Sequence, residues 1–280
     1  MDKSGGRVLL ITGVSTGFGR ALAEAALLAG HTVIGTVRNA AAKVEFEKLD
    51  GKRAHGVILD VTDFGAIETT VKDITARTGP VDVLVNNAGY GHEGTLEESP
   101  LDELIRQFNV NVFGAVAMTK AVLPSMRMRR TGHIINITSM AGLMGLPGVS
   151  YYCGSKFALE GISEALEKEV RGFGIKVTSV APGSFRTDWA GRSMIRTERS
   201  IDDYDAVFEP VRRLRKARDG KQAGDPARMA QVLLDIIGHD HPPVHLLLGT
   251  DALGFVRKKL SALNEEIDTW ESVSKSTDFS

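Results

Sequence analysis

Three side chains near the middle of the chain have the types and spacing for proton transfer: the Ser139 hydroxyl, the Tyr152 phenol and the Lys156 ammonium. Tyr152 and Lys156 are four apart, so a helix puts them on one face. Ser139 stands at the polar end of an apolar strand pattern carried by Ile134, Ile135 and Ile137. A free phenol has a pKa of roughly 10 and is a weak acid near neutrality. A neighbouring ammonium favours the phenolate by opposite-charge attraction. A phenol tuned in that way can give a proton to, or take one from, an oxygen whose carbon exchanges a hydride. Tyrosine and lysine one turn apart also fit any solvated helix face. The surrounding elements must decide between the two.

Those elements alternate. Arg7 to Gly13 is a short apolar run ending in glycine, and the next segment has helical periodicity in Leu22, Ala25, Ala26 and Ala29, with Gly30 as its stop. Between them lies Thr12-Gly13-Val14-Ser15-Thr16-Gly17-Phe18-Gly19. Here Gly13 permits a tight turn, Gly17 lets backbone approach a pyrophosphate, and Gly19 allows close helix–strand packing. The helix N-terminus then offers N–H groups to the anion. Further strands are predicted at 31–39, 54–63, 81–89, 133–139, 175–183 and 244–249. Seven strands separated by helices predict a Rossmann-type, doubly wound α/β domain with a mostly parallel seven-stranded sheet and helices on both faces. One domain over 1–280 is expected from the length.

The glycine turn, Asn86-Asn87-Ala88-Gly89, Asn111, Ser139, Tyr152-x-x-x-Lys156 and Pro182-Gly183 occur in this order. Taken together, over residues 7 to 255, they resemble the short-chain dehydrogenase/reductase family, and within it the reductases and the 17β-hydroxysteroid-type branch. The resemblance implies reversible hydride transfer between a nicotinamide cofactor and a ketone or secondary alcohol. It gives Asn111, Ser139, Tyr152 and Lys156 the catalytic roles. The Asn111 side chain would bond its own helix backbone, and a main-chain carbonyl would hold a water beside Lys156; the alternative is that Asn111 caps a local kink. The cofactor set it implies is Gly13, Ser15, Thr16, Gly17, Phe18, Gly19, Asp60, Val61, Asn87, Ala88, Gly89, Tyr152, Lys156, Pro182, Gly183 and Thr187. Asp60 is equally well placed to cap the helix beginning near Phe64, and Thr187 to cap a following helix.

The second strand runs out into Thr36-Val37-Arg38, where an NAD-binding fold usually has Asp or Glu on the ribose hydroxyls. A cation there complements a 2′-phosphate. Arg38 therefore selects NADP(H), with NAD(H) as the alternative.

Composition excludes other classes. Of 280 residues, 42% are apolar and 25% charged, with a formal charge of -1, so no overall basic character suggests nucleic acid. The lone Cys153 has no partner for an internal disulfide, which fits a reducing, cytoplasmic compartment. No apolar run reaches membrane-spanning or signal-peptide form, and no membrane partner is expected. His239, His241 and His245 cluster without a closed zinc spacing, so no metal is expected.

From 188 to 224 the pattern loosens around Trp189, Met194, Tyr204, Val207 and Phe208, as expected of a substrate lid. The basic run Arg212 to Arg218 reads as a charged surface helix. Met140, Leu143, Met144, Leu146 and Val149, with Phe185, Trp189 and Met194, suggest an apolar pocket for a small carbonyl or alcohol substrate. A helical extension around 255–270 has apolar positions that could cover the domain or a partner in a homodimer or homotetramer. Two other readings stay open: a non-catalytic NADP-binding regulator or scaffold, and an enzyme acting on sugars or carrier-bound acyl groups.

Overall fold

The computed structural model describes residues 6–189 and 191–279. The first half of the chain runs β1 (Val8–Ile11), α1 (Gly17–Leu28), β2 (Thr32–Val37), α2 (Ala40–Glu47), β3 (Ala54–Ile58), α3 (Phe64–Thr78) and β4 (Val83–Asn86). A short β5 (Gly91–Glu93) leads into α4 (Leu101–Phe108), a π-helical turn at Asn109–Gly114 and α5 (Ala115–Arg129). Then come β6 (Gly132–Ile137), α6 (Ser150–Val170), β7 (Ile175–Pro182), β8 (Met194–Arg196), α7 (Asp205–Ala217) and α8 (Pro226–Gly238). The chain ends with β9 (His245–Leu248), α9 (Thr250–Thr269) and α10 (Glu271–Lys275).

The main sheet has the order β3-β2-β1-β4-β6-β7-β9, and every pairing in it is parallel. Strands covered on both faces must be apolar throughout rather than alternating. That is why Val8–Ile11 and Ile134–Ile135 read as unbroken apolar runs. One face packs under Leu22, Ala26, Met229 and Leu233 of α1 and α8. The other packs under Ile67, Val71, Met118 and Val122 of α3 and α5. The chain leaves β1 toward β2 and β3, then returns to place β4 on β1's other side. Loops at the C-terminal ends of β1 and β4 therefore part in opposite directions and open a crevice.

Several local expectations are corrected. At Asn111 the chain makes neither a straight helix nor a simple kink but the π turn that joins α4 to α5. Asp63, not Asp60, caps α3, its carboxylate accepting from the Ala66 N–H. Asp60 instead turns back on Thr62, accepting from both its N–H and its hydroxyl. At the end of α5, Arg129 pairs with Asp82 at 2.9 Å. β5 and β8 form a second, two-stranded parallel sheet that no sequence pattern announced, being three residues each. From residue 260 onward α9 and α10 are exposed, so this part of the C-terminal extension does not cover its own domain.

Candidate active site

The glycine turn lies at the C-terminal end of β1. Gly13 has φ +73°, a left-handed conformation that side chains disfavour. A Cβ on Gly19 would meet the Gly13 carbonyl at 2.3 Å, so only glycine lets α1 start this close to the strand. Asn87 locks the turn by donating from Nδ2 to the Thr12 and Gly13 carbonyls, each at 2.9 Å. Thr16 opens α1 with no side-chain cap, which leaves first-turn N–H groups facing the crevice.

The crevice is a cleft of about 1190 Å³. Gly13, Ser15, Thr16, Gly17, Phe18, Arg38, Asp60, Val61, Asn87, Ala88, Gly89, Pro182, Gly183 and Thr187 all line it, as do Ser139, Tyr152 and Lys156. Of the predicted site residues, Gly19 and Asn111 lie behind this lining rather than in it. Thr187 opens no helix; among the described residues its hydroxyl meets the Trp189 N–H, at 3.4 Å. Arg38 lies just past β2, exposed, and makes no ion pair among the described residues.

At the opposite end the proton-transfer groups converge. Ser139 follows β6, and its hydroxyl accepts from the Ala141 N–H at 3.1 Å. Lys156 Nζ donates to the Ile137 carbonyl at 2.7 Å and lies 5.8 Å from the centre of the Tyr152 ring. The expected lowering of the phenol by Lys156 is not what dominates. Burial pushes Tyr152 up to about 12, while the Ser139 side chain pulls the other way. Burial also brings Lys156 down to about 8, opposed by the charge of Glu160.

Asn111 differs from expectation in its partners. Its side chain does not bond its own helix. Oδ1 accepts from the Tyr90 N–H and Nδ2 donates to the Tyr90 carbonyl, both at 3.1 Å. Nδ2 also reaches Ser155 Oγ at 3.0 Å, on the helix that carries Tyr152 and Lys156. Asn111 thus ties the π turn, the loop after β4 and α6 together. Tyr151, the neighbouring phenol, is turned away, its hydroxyl donating to the Ser99 carbonyl at 2.8 Å.

Beyond Tyr152 the wall is mixed, with apolar side chains interspersed with Asp188, Arg192, Arg215, Arg218 and Gln222. Met140, Leu146, Val149, Phe185 and Trp189 line it as expected, joined by Ile195, Val211 and Leu214. Leu143, Met144 and Met194 do not line the cleft, and Met194 is buried under Gly91. Trp189 sits 5.0 Å from Tyr152, centroid to centroid, and covers the phenol. Val207, Val211 and Leu214, at helical spacing, were the available signal for the α7 wall.

The segment 188–224, apart from Ala190, which lies outside the described residues, is anchored by two buried carboxylates that sequence reading passed over. Glu93 binds Arg196 at 3.2 Å and Arg215 more closely still. Glu98 binds Arg199 at 3.0 Å and accepts from the Ser200 and Ile201 N–H groups. Those bonds hold Glu98 down to about 2. Part of the basic run on α7 is therefore structural: Arg215 reaches inward, and Arg212 and Arg213 pair with Glu209.

The model of the short chain dehydrogenase family matches residues 7–196, more than half the chain. The chain belongs to the short-chain dehydrogenase family. This dehydrogenase is 36% identical over 269 residues to oxidoreductase BOA17 of Botryotinia fuckeliana, covering 96% of this chain and 98% of that one. It is 37% identical to the 3-ketodihydrosphingosine reductase of Bacteroides thetaiotaomicron, covering 87% and 88%. A solved short-chain dehydrogenase from Streptomyces avermitilis superposes with a TM-score of 0.92 at 42% identity, over 99% of this chain and all of the other. At 25% identity, a Burkholderia phymatum short-chain dehydrogenase in complex with NAD has a TM-score of 0.82, over 95% of this chain and 97% of that one. ElxO with NADP bound, also at 25%, has a TM-score of 0.74, over 89% and 99%. Among the described residues, no helix is long and apolar enough to cross a membrane.

Proposed function

We propose that this dehydrogenase uses NADP(H) to interconvert a ketone and a secondary alcohol on a largely apolar substrate. The observation that carries the reading is one cleft with two ends. Ser139, Tyr152 and Lys156 meet at one end, and the glycine turn, the uncapped start of α1 and Arg38 lie at the other.

The residues fit a dinucleotide. The glycine backbone and free N–H groups of α1 suit a pyrophosphate. Arg38, unpaired and exposed at the end of β2, suits a 2′-phosphate. One solved relative carries NAD and another NADP, so the choice rests on Arg38.

The bound nicotinamide supplies or accepts the hydride. Tyr152 gives its proton to the substrate oxygen in reduction and takes it back in oxidation. Burial keeps the phenol protonated, the form that reduction needs. Ser139 holds the same oxygen by a hydrogen bond. Lys156, fixed on the Ile137 carbonyl, sets a positive charge beside the phenol. Asn111 acts as a positioning residue, holding α6 against the loop after β4.

The wall formed by Leu146, Val149, Trp189, Ile195, Val211 and Leu214 supports an apolar substrate body. The relative named as a 3-ketodihydrosphingosine reductase supports a keto group on a long chain. The test is a screen of purified protein with NADPH and NADH against ketones of graded chain length, read by nicotinamide absorbance. Turnover rising with chain length and favouring NADPH is expected. A protein that binds NADPH yet oxidises it with no ketone in the series would overturn the catalytic reading.

A further inference from the structure

The last long helix has an apolar stripe that outruns the body of the protein. Along α9, Leu253, Val256, Leu260, Leu263, Ile267 and Trp270 recur at alternating intervals of three and four. That is the seam of a coiled coil. Its first part is anchored, with Ala252 and Val256 buried against the domain. Past Val256 the same stripe runs on into solvent, and Leu260, Leu263, Ile267 and Trp270 are 37–58% exposed. A helix gains most of its stability by packing its apolar face. Among the described residues, nothing of its own chain lies beneath that face past Val256.

Charge along the helix says what would cover it. Arg257, Lys258 and Lys259 fill the first part of the exposed stretch, while Glu265, Glu266 and Asp268 fill the second. Lys259 and Glu266 flank the seam as equivalent heptad positions, and neither makes an ion pair among the described residues. Two such helices side by side and parallel would set cations on cations and carboxylates on carboxylates. Antiparallel, the basic half of one lies along the acidic half of the other, and the stripes still face.

We propose that α9 is a self-docking surface: it pairs antiparallel with α9 of a second copy of this chain. The two-fold axis passes between residues 261 and 262, level with Leu260 against the partner's Leu263. Lys259 then lies beside the partner's Glu266, twice by symmetry. The interface is isologous, and of α9 only Phe255, which is off the stripe, lines the catalytic cleft, so it does not depend on the proposed reaction.

The full chain is measured by light scattering and by sedimentation at micromolar concentration. Leu263→Glu with Ile267→Glu is expected to halve the assembled mass, with the circular dichroism of the folded domain retained. Lys259→Glu and Glu266→Lys are each expected to weaken assembly by about three- to tenfold, two exposed pairs being lost. Combining them restores the pairs and the affinity. Mixing a Leu260→Cys chain with a Leu263→Cys chain should give the mixed disulfide faster than either homodimer. An unchanged mass in the double glutamate variant, no recovery in the charge swap, or preferential Leu260→Cys homodimers would each overturn the proposal. So would sedimentation with phosphatidylcholine–phosphatidylglycerol vesicles that the glutamate variant abolishes while its mass stays that of wild type, which would assign the stripe to a lipid surface.

Discussion

Glu160 lies one helical turn beyond Lys156, and its carboxylate is shared between two strands. It accepts the Thr138 hydroxyl at 2.5 Å and lies 2.9 Å from Nδ1 of His245. Thr138 directly precedes Ser139, and Glu160's negative charge holds the Lys156 ammonium up against the effect of burial. One carboxylate thus braces the strand end that carries the serine and supports the charge on the lysine. Removing its charge lets Lys156 lose its proton sooner. Glu160→Gln is expected to move the alkaline limb of the pH–rate profile to lower pH by about one unit. A limb that stays in place, in a variant that folds and binds nucleotide, would show that Glu160 serves the strand alone.

Tyr152→Phe removes the proton that the substrate oxygen needs while keeping the ring under Trp189. Turnover is expected to fall by about a hundred- to ten-thousandfold. NADPH affinity, measured by nicotinamide fluorescence, should hold within about twofold, since the phenol oxygen is one of many contacts along the cleft. Retained turnover in that variant would remove Tyr152 from the chemistry.

Arg38→Ala tests the choice of nucleotide. A charge-assisted bond to a phosphate contributes about 1.5–3 kcal/mol, so NADPH affinity should fall by about ten- to a hundredfold. NADH affinity should barely change. Equal losses for both nucleotides would mean that Arg38 supports the adenine rather than a phosphate.

The buried Lys156 also gives stability a pH dependence whose sign is fixed. Its folded pKa of about 8 lies below its ordinary value of 10.5. Below about pH 8 both folded and unfolded chains carry the proton, and the folded state bears the full cost of a buried charge. Between about 8 and 10.5 the folded chain releases its proton first and that cost is relieved. The relief amounts to about 3 kcal/mol at most. Lys156→Met is therefore expected to be more stable than wild type at pH 7, with the advantage shrinking toward pH 10. Denaturant melts of both proteins at the two pH values check this; a gap that does not change with pH would refute it.

Asn111→Leu takes from the Tyr90 N–H its side-chain acceptor and leaves the Tyr90 carbonyl only the Gln107 amide as a side-chain donor, beside a buried position. Unfolding free energy is expected to drop by about 2–4 kcal/mol. Asn111→Asp keeps the acceptor for the Tyr90 N–H but sets a carboxylate against the Tyr90 carbonyl, so it should recover only part of the loss. Matching losses in the two variants would deny the side-chain clamp.

Much of this protein was written locally in its chain. Unbroken apolar strands, glycine spacing and the order of short motifs depend on neighbours within a few residues, and they determined the parallel sheet, the crevice and the convergence of Ser139, Tyr152 and Lys156. Tertiary structure decided what depends on distant partners. Glu93 and Glu98 anchor the segment over the cleft only because arginines about a hundred residues away return to them. Asn111 takes its partners from the loop after β4 and from α6, not from its own helix. The phenol's pKa turned on burial beneath Trp189 more than on the ammonium four residues along. Side-chain spacing along one helix is a property of sequence; desolvation is a property of everything packed around it.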